Sequence, residues 1–168
     1  MNAEMLGEMH LLNSSEEHMN IITKQNKFEE LSDIKYEVHI GNSYIVDYQT
    51  IMILKFIGVY GLGSSGNSDA TFMCAIGKAA LEAWDPSGLI IDLSDLSYQW
   101  GDLLERVFDI GNDKYIDAPF PLALIVGNSS EEAVRTLLLG IDSKKTIKEI
   151  GWVFKDLKDA WTYIENKM

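Results

Sequence analysis

The chain has 168 residues, 46% of them hydrophobic, which suits one domain with its own core. Asp and Glu number 26 against 14 Lys and Arg, a formal net charge of -12. That balance excludes nucleic acid and anionic lipid as partners, because phosphate binding depends on Lys and Arg displacing counterions; a basic protein would be attracted.

The opening stretch carries no Lys or Arg and no compact apolar segment of the signal-peptide kind. The longest apolar run, "IMILKFIGVY", is too short to span a bilayer and contains Lys55. A single cysteine, Cys74, excludes an intrachain disulfide framework and fits a reducing cytoplasm. His10, His18 and His39 are scattered without ligand spacing, so no metal site is expected.

Residues 1–33 are Met-rich, acidic and weakly patterned, and read as an N-terminal arm in which Met5, Leu6, Met9 and Leu12 share a helical face. Residues 34–168 read as an α/β domain. "KYEVHIGNSYIVDYQ" and "TIMILKFIGVYG" are two strands, the second apolar enough to be central. Ser68 and Asp69 open a helix whose inward stripe is Phe72, Met73, Ile76, Ala79, Ala80, Ala83 and Trp84. Cys74, Lys78 and Leu81 fall on its exposed side. Pro86 and Gly88 stop that helix before the buried strand "GLIIDLS".

"GDLLERVFDIG" is a short helix with Leu103, Leu104, Val107 and Phe108 inward, followed by the strand "FPLALIVG". "SSEEAVRTLLLGI" opens on a capping box of Ser129 and Glu132 and buries Val134, Leu137, Leu138 and Ile141. "IKEIGWVF" is the last strand. The last helix, "KDLKDAWTYIENKM", turns Leu157, Ala160, Trp161 and Ile164 inward. This alternation predicts a mixed or mostly parallel sheet with helices packed on it.

"GLGSSG", Gly61 to Gly66, follows a strand and opens a helix, with Asp92 closing the next strand, as a dinucleotide site requires. Against that reading, Asp69 sits in the first turn of the helix, where it competes with a pyrophosphate for the positive helix end. The motif also follows the second strand, and little chain remains after Asp92. Glycines also serve where a turn needs positive φ, and the turn is the expected role of "GLGSSG". Ser, His and acid residues assemble no triad, and Cys74 has no base beside it, so neither catalytic residues nor a cofactor are expected.

Asp102, Glu105, Asp109 and Asp113 recur at spacings of three and four along the second predicted helix. Like charges at that spacing do not stabilise a helix. With Asp95 upstream and Tyr98, Gln99 and Trp100 in the preceding turn, they form an expected docking surface. Aromatics would anchor a basic protein there, and acids would steer it.

The segment "LKFIGVYGLGSSGNSDATFMCAIGKAALEAWDPSGLIIDLSDLSYQWGDLLERVF" resembles the STAS domain, the fold of sulfate transporters and anti-sigma factor antagonists. The ending "IGWVFKDLKDAWTYIE" resembles its last strand and helix, so the resemblance covers roughly residues 36–165. It implies a STAS-like sheet and a protein partner. It also implies a phosphorylated serine in the turn after the Asp-Leu-Ser strand, but here that turn reads "SYQWGDLL". Gln99 and Trp100 stand where the serine should be, with Ser94 and Ser97 upstream. The expectation is a non-enzymatic cytoplasmic protein that sequesters a basic partner, such as a bacterial immunity protein neutralising a toxin. The alternative is an anti-sigma factor antagonist-like regulator, and the second alternative a small nucleotide-binding enzyme using "GLGSSG".

Overall fold

The computed structural model describes Leu11–Leu12 and residues 21–168. A two-stranded antiparallel ladder joins β1 (Leu11–Leu12) to β2 (Ile21–Ile22), so Leu12 lies in a strand rather than on a helical face. Met5, Leu6 and Met9 lie outside the described residues. Leu31 packs on the core, and the Ser32 hydroxyl donates to Asp69.

The body is a five-stranded sheet in the order β3-β4-β5-β6-β7. β3 (Lys35–Asn42) runs antiparallel to β4 (Thr50–Val59). β5 (Gly88–Ser97), β6 (Leu122–Val126) and β7 (Val153–Phe154) then continue parallel. The intervening helices are α1 (Asn67–Trp84), α2 (Glu105–Phe108), α3 (Glu131–Leu139) and α4 (Leu157–Glu165). The predicted alternation from the first domain strand onward is therefore the observed one.

Alternate residues of β4 and β5 face opposite sides of the sheet, and with both sides covered, consecutive residues are buried in two separate clusters. Met52, Leu54, Phe56, Leu89, Ile91 and Leu93 join α1, α2 and α3 on one face, where Met73, Leu104, Val107 and Val134 are completely buried. On the other face Ile51, Ile90, Ala123 and Ile125 meet Ala160 and Ile164 of α4.

Several elements depart from the sequence reading. The first domain strand stops at Asn42, because the chain turns between Ser43 and Gln49. α1 is rotated from the predicted stripe. Its buried side runs through Ala70, Met73, Cys74, Gly77, Ala80 and Leu81, whereas Ala79, Ala83 and Trp84 are exposed. The contact is centred on Gly77: a Cβ there would lie 2.5 Å from Ile110 Cδ1 and 3.2 Å from Leu54 Cδ2. A stripe drawn from large side chains passes over the residue that lets the helix approach.

α2 is a single turn, so Asp102 precedes it and Asp109 and Asp113 follow it. The acids therefore do not share one helical face. Leu103, at φ 67, breaks the helix before it can extend toward Gly101. α3 begins after Ser130, not Ser129. The Ser130 hydroxyl donates to Leu93 O, and Glu132 binds Arg135, so the predicted capping box does not form. A capping box does form at Thr146 and Glu149, on a 3-10 turn inside the segment read as strand; only Val153–Phe154 pairs. Ile141 is 79% exposed because Gly140 ends α3 before it. Leu157, at the N-terminus of α4, is also exposed.

Candidate functional site

Where β4 and β5 end, two turns fold against each other. Tyr60, buried beyond β4, receives its position from three contacts. Its N–H donates to Ser97 O (2.9 Å), its hydroxyl donates to Asp102 O (2.5 Å), and its ring meets Tyr98 edge-on at 5.3 Å. Burial is the main cause that pushes the Tyr60 phenol above its ordinary pKa, with Tyr98 and Asp69 adding to it. Burial also raises Tyr98, against the lowering effect of its hydrogen bond to Gly101.

The glycine loop bends back onto the protein. The Gly61 N–H donates to Asp69 Oδ2 (2.8 Å), and the Gly63 N–H to Trp100 O (3.3 Å). The Ser65 and Gly66 amides donate to Leu62 O and Gly63 O. A phosphate cradle needs such amides free and convergent; here they are spent internally. Gly63 has φ 55 and ψ -133, and a Cβ on it would lie 2.3 Å from the Trp100 ring. Gly63 and Gly101 form a parallel bridge, which sets the two turns side by side. The glycines thus serve close packing and positive φ.

That packing presents Trp100 to solvent at 65% exposure, its ring lying over Gly63. Beside it runs a groove whose walls include Trp100, Asp102, Ser129, Glu132, Leu137 and Ile141. Gln99 lines the same groove. The Arg135 guanidinium within it is committed to Glu132, at 2.9 and 2.7 Å. Tyr98 lies at the groove but is only 4% exposed; its N–H donates to Ser129 O and its hydroxyl to Gly101 O. It is a structural residue of the turn and not a surface anchor.

The acids divide among different surroundings. Asp102 is on the groove, and Glu105 is exposed in α2. Asp95 bonds to Lys55 of β4 at 2.5 Å, and this hydrogen bond is the main cause that raises the lysine's pKa. Asp109 and Asp113 line a separate cleft with Cys74, Lys78, Arg106 and Asn112. Cys74 itself is 9% exposed, and burial raises its thiol pKa. The structure thus brings Gln99, Trp100 and Asp102 together and leaves Asp95, Asp109 and Asp113 elsewhere.

Apolar neighbours not singled out in the sequence complete the surface. Leu62, 60% exposed, adjoins Gly63 under the Trp100 ring, and Ile141 lines the groove with Trp100. A leucine between two glycines, in a loop without apolar periodicity, was the available signal for Leu62. For Ile141 it was Gly140, a helix stop.

Among the described residues, no helix is long and apolar enough to cross a membrane, and no three His, Cys, Asp or Glu side chains converge as metal ligands. No protein-family model matches the chain. No curated protein matches it either. Among solved structures it is similar to the crystal structure of an anti-sigma factor antagonist from Mycobacterium paratuberculosis. The TM-score is 0.52 at 16% identity, covering 79% of this chain and 94% of that one. With its five-stranded, mostly parallel sheet and its helices, the chain has a STAS-like α/β fold.

Proposed function

We propose that this protein is a non-enzymatic regulator that acts by binding another protein, in the manner of an anti-sigma factor antagonist. The observation that carries the reading is Trp100, exposed over Gly63 at the mouth of the groove beside α3. A large amphipathic ring held by its backbone turn, with Leu62 and Ile141 near it, is the kind of anchor that dominates protein interfaces. Asp102 and Glu105 beside it favour a partner with a basic rim around an apolar centre. The STAS-like fold supports this regulatory role over the toxin-neutralising one. Gln99 and Trp100, at the position that the resemblance assigns to a phosphoserine, imply binding that this turn does not switch by phosphorylation.

The test is binding of the purified chain to the anti-sigma factors of its own cell, measured by interferometry. Saturable binding is expected, and Trp100→Ala is expected to remove at least about 2 kcal/mol of it. Trp84→Ala, which changes an exposed tryptophan away from the groove, is the control and should bind normally. Equal affinity of both variants would move the interface. Binding to a co-encoded toxin and to no anti-sigma factor would restore the immunity reading.

A further inference from the structure

β3 forms one edge of the sheet, and among the described residues nothing pairs with its outer side. The other edge, β7, is only Val153–Phe154, so β3 is the long one. Its backbone polarity follows from the hairpin. The Ser43 N–H donates inward to Gln49 O, and the hydrogen-bonding side alternates residue by residue along a strand. Gly41, His39 and Glu37 therefore turn their amides and carbonyls toward β4. Asn42, Ile40, Val38 and Tyr36 turn theirs outward.

We infer that this edge pairs with the same edge of a second copy, about a two-fold axis through Val38, to make one continuous sheet across a homodimer. Antiparallel pairing in that register places Val38 opposite Val38 of the second copy, Tyr36 opposite Ile40, and Glu37 opposite His39. Tyr36, Val38 and Ile40 then each meet another outward residue and exchange both hydrogen bonds with it. The side chains match as well as the backbone. Tyr36 (46% exposed), Val38 and Ile40 (42% exposed) share one face and build an apolar strip across the axis. The Tyr36 ring is already held against Phe72, with centroids 6.1 Å apart. Glu37 and His39 share the other face, 51% and 60% exposed, and already lie 3.2 Å apart within one copy; across the axis the acid of each copy comes beside the imidazole of the other, joining the two pairs into one cluster. Moving the axis to His39 would pair every outward residue of β3, Tyr36 with Asn42 and Val38 with Ile40, but it sets His39 opposite His39 and Glu37 opposite Gly41, so the side-chain match selects the Val38 register.

Charges on an edge strand ordinarily blunt it against foreign strands. Here they do so while complementing a second copy, which is how a two-fold interface selects itself. The surface is separate from the Trp100 groove, so the inference stands independently of the proposed function.

Sedimentation velocity on the full chain, from micromolar to near-millimolar concentration, tests it. The weight-average mass should rise from monomer to dimer. Ile40→Pro removes an outward N–H that the chain's own sheet does not use, and should raise the dimer dissociation constant about tenfold or more while the monomer stays folded. His39→Glu, which puts acid opposite acid, should weaken the dimer similarly and serves if the proline variant does not fold. Val38→Cys should crosslink to a covalent dimer with a short bis-maleimide, with little background because Cys74 is buried. A monomer at every concentration overturns the inference. So does a dimer that survives both Ile40→Pro and His39→Glu and does not crosslink in Val38→Cys.

Discussion

Gly63 combines two demands that only glycine meets. Its φ of 55 with ψ of -133 is a conformation in which a side chain is strained, and the Trp100 ring occupies the space of a Cβ. Gly63→Ala should cost about 1–3 kcal/mol from backbone strain. It should also displace the indole and so weaken partner binding along with stability, as urea melts and interferometry would show. Ser64→Ala, at an exposed neighbour, should leave both nearly unchanged. Tyr98 and Trp100 illustrate the same point in reverse. Two aromatics two residues apart look equivalent in a turn, yet one is buried against Tyr60 and the other stands in solvent.

Among the elements, α1 is the most informative. Its contact with the sheet runs through Met73, Gly77 and Ala80, so Met73→Ala should cost about 2–5 kcal/mol in denaturant melts. Trp84, 55% exposed in the last turn, should cost under about 1 kcal/mol on the same change, as surface positions do. Reversed costs would restore the stripe expected from the large side chains. Short elements are shaped by their ends. α1 stops at Asp85, left-handed at φ 42, before Pro86. α4 starts on Asp156, whose Oδ1 accepts the Asp159 N–H at 2.9 Å.

Across the whole molecule, Glu165 ties the C-terminal helix to the first hairpin. Its Oε1 accepts the Tyr44 N–H at 2.6 Å and the Ser43 hydroxyl at 2.9 Å. Burial, the largest single cause, pushes the carboxyl pKa up, but the hydrogen-bonding groups around it, Tyr44 and Ser43 foremost, together outweigh it, so the pKa lies below the ordinary carboxylate value. The folded pKa is thus lower than the unfolded value of about 4.3. The link's stabilisation is fully present above that unfolded value and fades as pH falls through the folded one. The urea midpoint of Glu165→Gln should therefore lie below the native one at pH 7, and the gap should close on acidification. A gap that persists at pH 2 would mean that the ionised carboxylate is not what matters. The acidic surface acts at this scale as well. Reversing Asp102 and Glu105 to Lys should slow association and flatten its salt dependence, because exposed charges act over about 10 Å at 0.1 M salt. Dissociation should respond less.

The sequence by itself determined the order of strands and helices from β3 onward, the central place of β4, the burial of β5, and the resemblance to a STAS domain. These follow from local periodicity and from breakers such as Pro86, which the chain carries wherever it folds. It also placed Trp100 in a turn after the Asp-Leu-Ser strand. Only the tertiary structure decided which face of α1 is buried, because Gly77 has no side chain to mark it. Only the tertiary structure separated Tyr98 from Trp100, and assigned the glycines of "GLGSSG" to packing. Those outcomes depend on the 61–66 loop meeting the 98–102 turn, and on Asp69 reaching Gly61 and Ser32. Contacts between distant segments set them, and no local pattern encodes such contacts.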